Sequence, residues 1–284
     1  MARTTIDLSR LPSPDAVEVI DHEAIWQTLK ADILARAPDA EHVLALESEM
    51  IVKVGQAFAY RLMLEANKKN QAVRAVMPAF ATGADLDHLG VIVGVARLDG
   101  ELDDDFRRRF VLAPEGYSVA GPAGAYEFHA LSADSDVKDA ATDSPAPGHV
   151  LVTILSRTGD GAASAELVAK VEAVLTADEV RPLTDFVTVQ SAGINAYAIE
   201  AVVRTYAGPD PSVVMTASRA AVEAFVLDAH RLGRDVNLSS IYAALTVEGV
   251  MRVDLAQPAA NVVCNGEQAA HCTAITLTWG GVDE

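Results

Sequence analysis

GADLDHLGVIVGVAR (residues 83–97), GELDDDFRRRF (residues 100–110) and AGPAGAYEFHAL (residues 120–131) follow one another in this chain, and their order decides how the rest divides. Each begins with a turn residue and runs into a helix-forming stretch. In DLDHL the acidic side chains stand where a helix starts and complement its dipole. In LDDDFRRRF, Asp103, Asp104 and Asp105 stand four residues ahead of Arg107, Arg108 and Arg109, so a helix there would carry three acid-to-base pairs in the favourable orientation. Each pair contributes only about 0.2–0.5 kcal/mol, enough to start a helix but not to hold a fold. The three aspartates do not form a metal site, because neighbours on a helix point about 100° apart and cannot converge on one ion.

Upstream of these segments the pattern is helical. Residues 41–76 have no internal proline before Pro78, and Leu44, Ile51 and Phe58 recur at heptad spacing beside Val43, Met50, Ala57 and Leu64. Read as one helix with Gly55 as its single weak point, the segment would reach about 54 Å. A shorter amphipathic helix is expected over residues 14–35, with Asp15 in its first turn and Ile25, Leu29 and Ile33 every four residues. Joined through Ala37, Pro38 and Asp39, the two would form an antiparallel hairpin. A hairpin cannot bury its apolar stripes on every side, so the stripes pack either on later parts of the same chain or in a bundle with a partner. Leu44, Met50, Ile51, Val54, Phe58 and Leu62 are the candidate partner-interface residues.

Downstream of Ala130 the signal changes to alternating strands and helices. Residues 137–142 and 149–156 read as strands separated by DSPAPG, and VLVTIL is β-branched enough for a central strand. TGDG (residues 158–161) breaks that strand, residues 165–175 return to helical spacing, RPLTD is a break and FVTVQ a strand, giving a β-β-α-β module. A second module has its order shifted: a strand over 195–205, the turn AGPDP, helices over about 212–230 and 238–245, and strands near 250–255 and 273–278. The fold class is therefore α+β, an N-terminal long-helix hairpin or bundle segment followed by small mixed sheets covered by helices. The expected divisions are an N-terminal helical bundle segment (1–82), a helical joint (83–131), a first α/β module (132–192) and a second (193–284).

Composition narrows the function. A chain of 284 residues, 50% hydrophobic, can bury a sizeable core in two or three modules. With 40 acidic against 22 basic side chains its net charge of −18 opposes non-specific binding to nucleic acid or to an anionic membrane face. No apolar run long enough for a membrane span occurs, and the N-terminus, with Arg3 and Arg10, lacks the apolar core of a secretory signal, so a cytoplasmic site of synthesis is expected. Cys264 and Cys272 are too few for a disulfide framework, and with His271 they lack a fourth zinc ligand. TGDGAAS lacks the Gly-Lys-Ser/Thr ending of a phosphate loop and reads as a tight turn with Ser164 as helix N-cap. GVIVG has the wrong spacing for a dinucleotide fingerprint, no HExxH pair occurs, and no serine sits in a GxSxG elbow. No cofactor, metal or catalytic set is expected. The enzyme alternative is a metal-dependent hydrolase using Asp85, Asp87 and His88; the other alternative is an acidic soluble adaptor.

In order and spacing the quoted segments, followed by VKDA at residue 137 and TGDG at 158, resemble the J-type baseplate wedge proteins of contractile-tailed bacteriophages and R-type pyocin-like particles. The resemblance covers about residues 41–254 and is strongest over 83–97, 106–109, 120–126 and 180–189; residues 1–40 and those after Asp254 carry no matching motif. It implies a structural, non-enzymatic protein. Two copies would join one I-type wedge protein through the N-terminal helices, and six wedges would close into an iris-like ring through C-terminal contacts with neighbouring wedges and sheath or hub-side proteins. It further implies assembly in the bacterial cytoplasm and a final place in the tail baseplate, without contact to nucleic acid or a membrane span.

Overall fold

A computed structural model describes residue 8 and residues 11–118, 120–208 and 210–282. The sequence reading of residues 1–7, with Arg3, of Arg10 and of Pro209 in the AGPDP turn lies outside the described residues. The chain divides into two compact units, Met1–Arg97 and Leu98–Glu284.

The first unit is helical. Helix α1 (His22–Arg36) starts at Asp21, whose carboxylate accepts from the Glu23 amide at 2.9 Å, later than the expected start near residue 14. The segment before it is instead clasped to a later helix, since Asn70, 4% exposed, accepts from the Glu18 amide at 3.0 Å and donates to the Glu18 carbonyl at 2.8 Å. The single helix expected over 41–76 is broken. Helix α2 (Glu41–Leu44) stops, Glu49 is extended at φ −69° and ψ 143°, and helix α3 (Met50–Ala75) starts afresh, with helix α4 (Gly83–Ile92) beyond it. Two acids and a serine, Glu47, Ser48 and Glu49, precede Met50, and such residues favour a helix beginning over a helix interior. The connection between α1 and α3 therefore spans residues 37–49, more than Ala37, Pro38 and Asp39. Helix α3 is 26 residues long, or about 39 Å.

Helix α1 packs on α3 around Trp26, Leu44, Val52 and Ala59, with Ile25, Leu29 and Ile33 at the margin. Gly55 decides how close they come: a Cβ there would lie 2.8 Å from Trp26 Cη2 and closer still to Cζ3. What looked in sequence like the weak point of a helix is the seat of the indole.

The second unit opens with helix α5 (Asp103–Leu112) and helix α6 (Ala123–Ala133). Arg107 stays within α5, pairing with Asp104 one turn back. Arg108 reaches Asp139, and Asp105 reaches Arg157 at 2.9 Å. Arg109 grips Glu101 with two bonds of 2.6 Å, donates to Ser132 at 3.2 Å and lies over the Phe106 ring. Both charged side chains of that pair are buried, at 5% and 4% exposure. At Arg108 and Arg109 the expected four-residue pairs thus give way to tertiary bonds, because the buried carboxylates of Asp139 and Glu101 require a cation and the buried Arg109 requires a carboxylate. The AGPAGAY turn is packed. Gly121, at φ +70°, approaches Pro182 and Asp185, and the Tyr126 hydroxyl donates to Asp185 at 2.7 Å.

Strands β1 (Val137–Ala146), β2 (His149–Ser156) and β3 (Phe186–Ser191) form a sheet of order β1-β2-β3, with β1 antiparallel and β3 parallel to β2. The parallel return from β2 to β3 carries helix α7 (Ala165–Leu175), capped at Ser164, which accepts from the Leu167 amide at 3.2 Å. Tyr126, Val152, Ile154, Leu167, Val171 and Leu175 share the core beneath it. The second sheet repeats the plan in the order β5-β4-β6: β4 (Gly193–Thr205) lies between antiparallel β5 (Val250–Gln257) and parallel β6 (Gln268–Val282). Helices α8 (Pro211–Ala229) and α9 (Leu238–Leu245) cover it over Ile199, Val222, Ile241 and Leu245. The fold is α+β, as the strand and helix order required.

Two substitutions test this packing. Gly55→Ala forces the indole out of its seat and lowers the stability of the first unit by about 1–3 kcal/mol, seen as an earlier thermal transition in the fluorescence of a Trp279→Phe background. Glu101→Gln leaves Arg109 buried without its counter-charge and costs about 3–5 kcal/mol in urea unfolding. The double change Glu101→Leu with Arg109→Met recovers most of that loss, since it removes both charges together.

Candidate assembly surface

Of the six side chains singled out on the N-terminal helices, five lie exposed on one side of α3: Met50 (73%), Ile51, Val54, Phe58 (62%) and Leu62. At about 100° per residue they span an arc of about 120°, and the buried positions Val52, Gly55, Ala59 and Asn70 occupy the neighbouring arc. Helix α3 therefore has two adjoining functions: one side closes the core of its own unit, the other offers apolar surface to water. Leu44 lies elsewhere, 3% exposed, in the core with Trp26. Fully covering a side chain of this size contributes about 1.5–3 kcal/mol relative to full exposure, and these five, at 40–73% exposure, have part of that contribution still to give. Contiguous exposed apolar surface of this kind marks interaction sites. Past Leu62 the outward positions turn polar, with Glu65, Lys68 and Lys69 exposed, so the stripe occupies the first half of the helix.

The proposed chemical sites have other uses. Asp87 holds Arg97 at 2.6 Å, while Asp85 and His88 are exposed on α4. An open groove of ≈ 430 Å³ beside that pair is lined by Val91, Gly94, Val95 and Ala96. In the TGDG turn Asp160 accepts from the Ala162 amide at 3.1 Å, and Ser164 is the helix cap. Cys264 is buried beside Asn195 and Cys272 is half-buried; burial pushes both thiols up, away from the reactive thiolate. His271 faces His230, with ring centroids 5.4 Å apart. Among the described residues no three His, Cys, Asp or Glu side chains come together as a metal site, and no helix is long and apolar enough to cross a membrane.

The sequence reading missed three groups that organise these surfaces. Asn70 and Glu101 act through partners 52 and 8 residues away, and Asp139 binds both Arg108 and the Leu232 amide, 93 residues distant. A buried Asn late in an apolar helix face was the one signal available for the first; nothing local marks the other two.

Three family models match the chain in succession: the baseplate J-like N-terminal domain over residues 47–100, the baseplate J-like central domain over 118–191 and the baseplate J-like protein C-terminal domain over 197–278. "Baseplate protein J" of Escherichia phage P2 is 43% identical over 299 aligned positions, covering 98% of this chain and 99% of that protein. A chain of the cryo-EM structure of the anti-feeding prophage (AFP) baseplate, 6-fold symmetrised, matches at 14% identity and a TM-score of 0.40, over 63% of this chain and 43% of its own length. On the full-length identity and the three consecutive domain matches, this chain belongs to the baseplate J family.

Proposed function

We propose that the protein is a structural, non-enzymatic part of the baseplate of a contractile tail, and that α3 is the surface through which it enters the wedge. The single observation that carries the second part is the row of exposed apolar side chains from Met50 to Leu62, on a helix whose adjoining side is already used. Membership of the baseplate J family supports the first part.

In this reading two copies associate with one I-type wedge protein, and the stripes on α3 meet inside a shared helical bundle. Residues 1–82 supply the bundle, residues 83–131 the joint, and the modules over 132–192 and 193–284 the contacts that close six wedges into a ring. Assembly takes place in the bacterial cytoplasm, before the protein becomes part of the tail baseplate. An assembly that opens without falling apart needs strong contacts in one place and rearrangeable ones in another. The apolar stripe suits the first requirement. The hydrolase alternative loses its motivation, because Asp87 is committed to Arg97 and the acidic start of α4 has an ordinary role at a helix N-terminus.

Co-expression with an I-type wedge protein, followed by light scattering on the purified complex, tests the proposal. A mass of two copies to one is the expected result. Phe58→Asp places a charge in the middle of the stripe and abolishes the complex, while circular dichroism of the free chain keeps its strand signal. A wild-type chain that stays a monomer beside that protein would favour the adaptor reading, and loss of all structure in Phe58→Asp would place the stripe in the chain's own core.

A further inference from the structure

The two α/β modules meet along a seam that the assembly reading does not use. Leu155 and Ala192 of the first pack with Ala269, Ile194 and Leu232 of the second. Asp139 of β1 accepts from the Leu232 amide at 3.1 Å, and Gln190 donates to the Glu267 carboxylate at 3.2 Å. At the centre stands His230, the residue that ends α8. Its Nδ1 lies 2.7 Å from the Ala270 carbonyl oxygen, which can only accept, so Nδ1 carries the ring proton. The opposite nitrogen faces the TGDG turn so closely that a Cβ on Gly161 would lie 2.8 Å from Nε2. That turn is closed by the Ser156 amide donating to the Gly161 carbonyl at 2.8 Å.

We propose that this seam is a proton-sensitive lock, in which neutral His230 wedges the second module against the Gly161 turn of the first and a second proton on its ring loosens the contact. The charged and titratable groups around the ring come from each side. Burial is the main force that lowers the His230 pKa; the Ala270 carbonyl opposes it, Lys138 of β1 and His271 of β6 add to it, and Asp160 in the turn opposes it. Asp139 beside Lys138 is taken up by Arg108 and the Leu232 amide. A second proton would sit on Nε2, which faces the turn, and the new charge would be opposed by burial and by Lys138. In this proposal the ring takes it up by moving away from Gly161 and into water.

The direction follows from linkage. A histidine whose folded pKa lies below its unfolded value contributes stability that is complete above the unfolded value, and that stability is lost as pH falls below about 6.5. In this range one proton taken up on opening raises the open population by up to about tenfold per pH unit.

Hydrogen exchange of the full chain, corrected for intrinsic rates and followed from pH 7.5 to 5, tests the lock. Expected is a selective loss of protection at the Leu232 amide across the seam and at the Ser156 and Gly161 amides of the turn, while the β1–β2 and β4–β6 ladders stay protected. His230→Asn keeps a donor for Ala270 and removes the titration, so its seam amides show no acid-dependent loss; His271→Asn retains that loss. Should His230→Asn fail to fold, Gly161→Ala decides: its Cβ crowds Leu155 Cδ1 and the ring together at a positive φ of +102°, and the seam amides then show the acid pattern already at pH 7.5. Seam amides that stay protected to pH 5 in the wild type, an acid response unchanged in His230→Asn, or a Gly161→Ala seam that remains closed at pH 7.5 would each overturn the proposal.

Discussion

Arginine in a protein interior sets a condition that the surrounding fold must meet. Its guanidinium stays charged at every ordinary pH, so burying it requires a carboxylate and further acceptors in fixed positions. Helix α5 carries one such arginine, Arg109, and beside it the partly exposed Arg108, whose partner Asp139 is buried; the two point in different directions. Arg109 draws in Glu101 from the segment before the helix and Ser132 from α6; Arg108 draws in Asp139 from the first sheet. Asp139 then spends its other oxygen on the Leu232 amide of the following module. One helical turn of sequence thereby ties together α5, α6, the first sheet and the second module. A pair of this kind adds little net stability compared with an apolar replacement, but a chain that mispacks any of these elements leaves a bare charge inside, so it rejects wrong arrangements strongly.

Within that frame the two sheets solve the same problem twice. Each has a central strand, β2 or β4, with an antiparallel neighbour on one side and a parallel one on the other. An antiparallel neighbour can follow through a tight turn, as β2 follows β1 across Pro147 and Gly148, whereas a parallel neighbour requires a crossover. In the first sheet α7 is that crossover; in the second α8, α9 and β5 all intervene before β6 returns. The helices that make the return also cover the sheet, which explains why such small modules can each bury a core.

Legibility in the sequence followed the range of the interaction. Helix α7 began at Ser164 and α9 ran over 238–245 as their periodicity indicated, because caps and apolar spacing act within a few residues. Strand β2 proved central because its β-branched run is buried by both neighbours. The break before Met50 escaped a reading based on apolar spacing alone, since Leu44 keeps the heptad phase yet belongs to another element and another environment. The arginines of α5 were assigned to local pairs worth a few tenths of a kcal/mol; the buried carboxylates that claimed two of them are set by tertiary position, which no spacing encodes. The stripe on α3 was visible as apolar residues, but its division into a buried and an exposed arc needed the position of Trp26.

That division bears on how one helix can serve two contacts. A helix buried on all sides could not exchange partners without unfolding, and one exposed on most sides would not hold its shape in water. Helix α3 escapes both limits because its inner arc sets Gly55 and Ala59, with Val52, against the Trp26 indole and Leu44, while its outer arc carries Met50, Ile51, Phe58 and Leu62. Close approach on the inside is achieved with little side-chain volume, and the volume is reserved for the outside. The inner contact is therefore the one that a single methyl group can disrupt, and the outer stripe is the one able to release the larger area from water. A protein built to join others would place its bulk where this helix does.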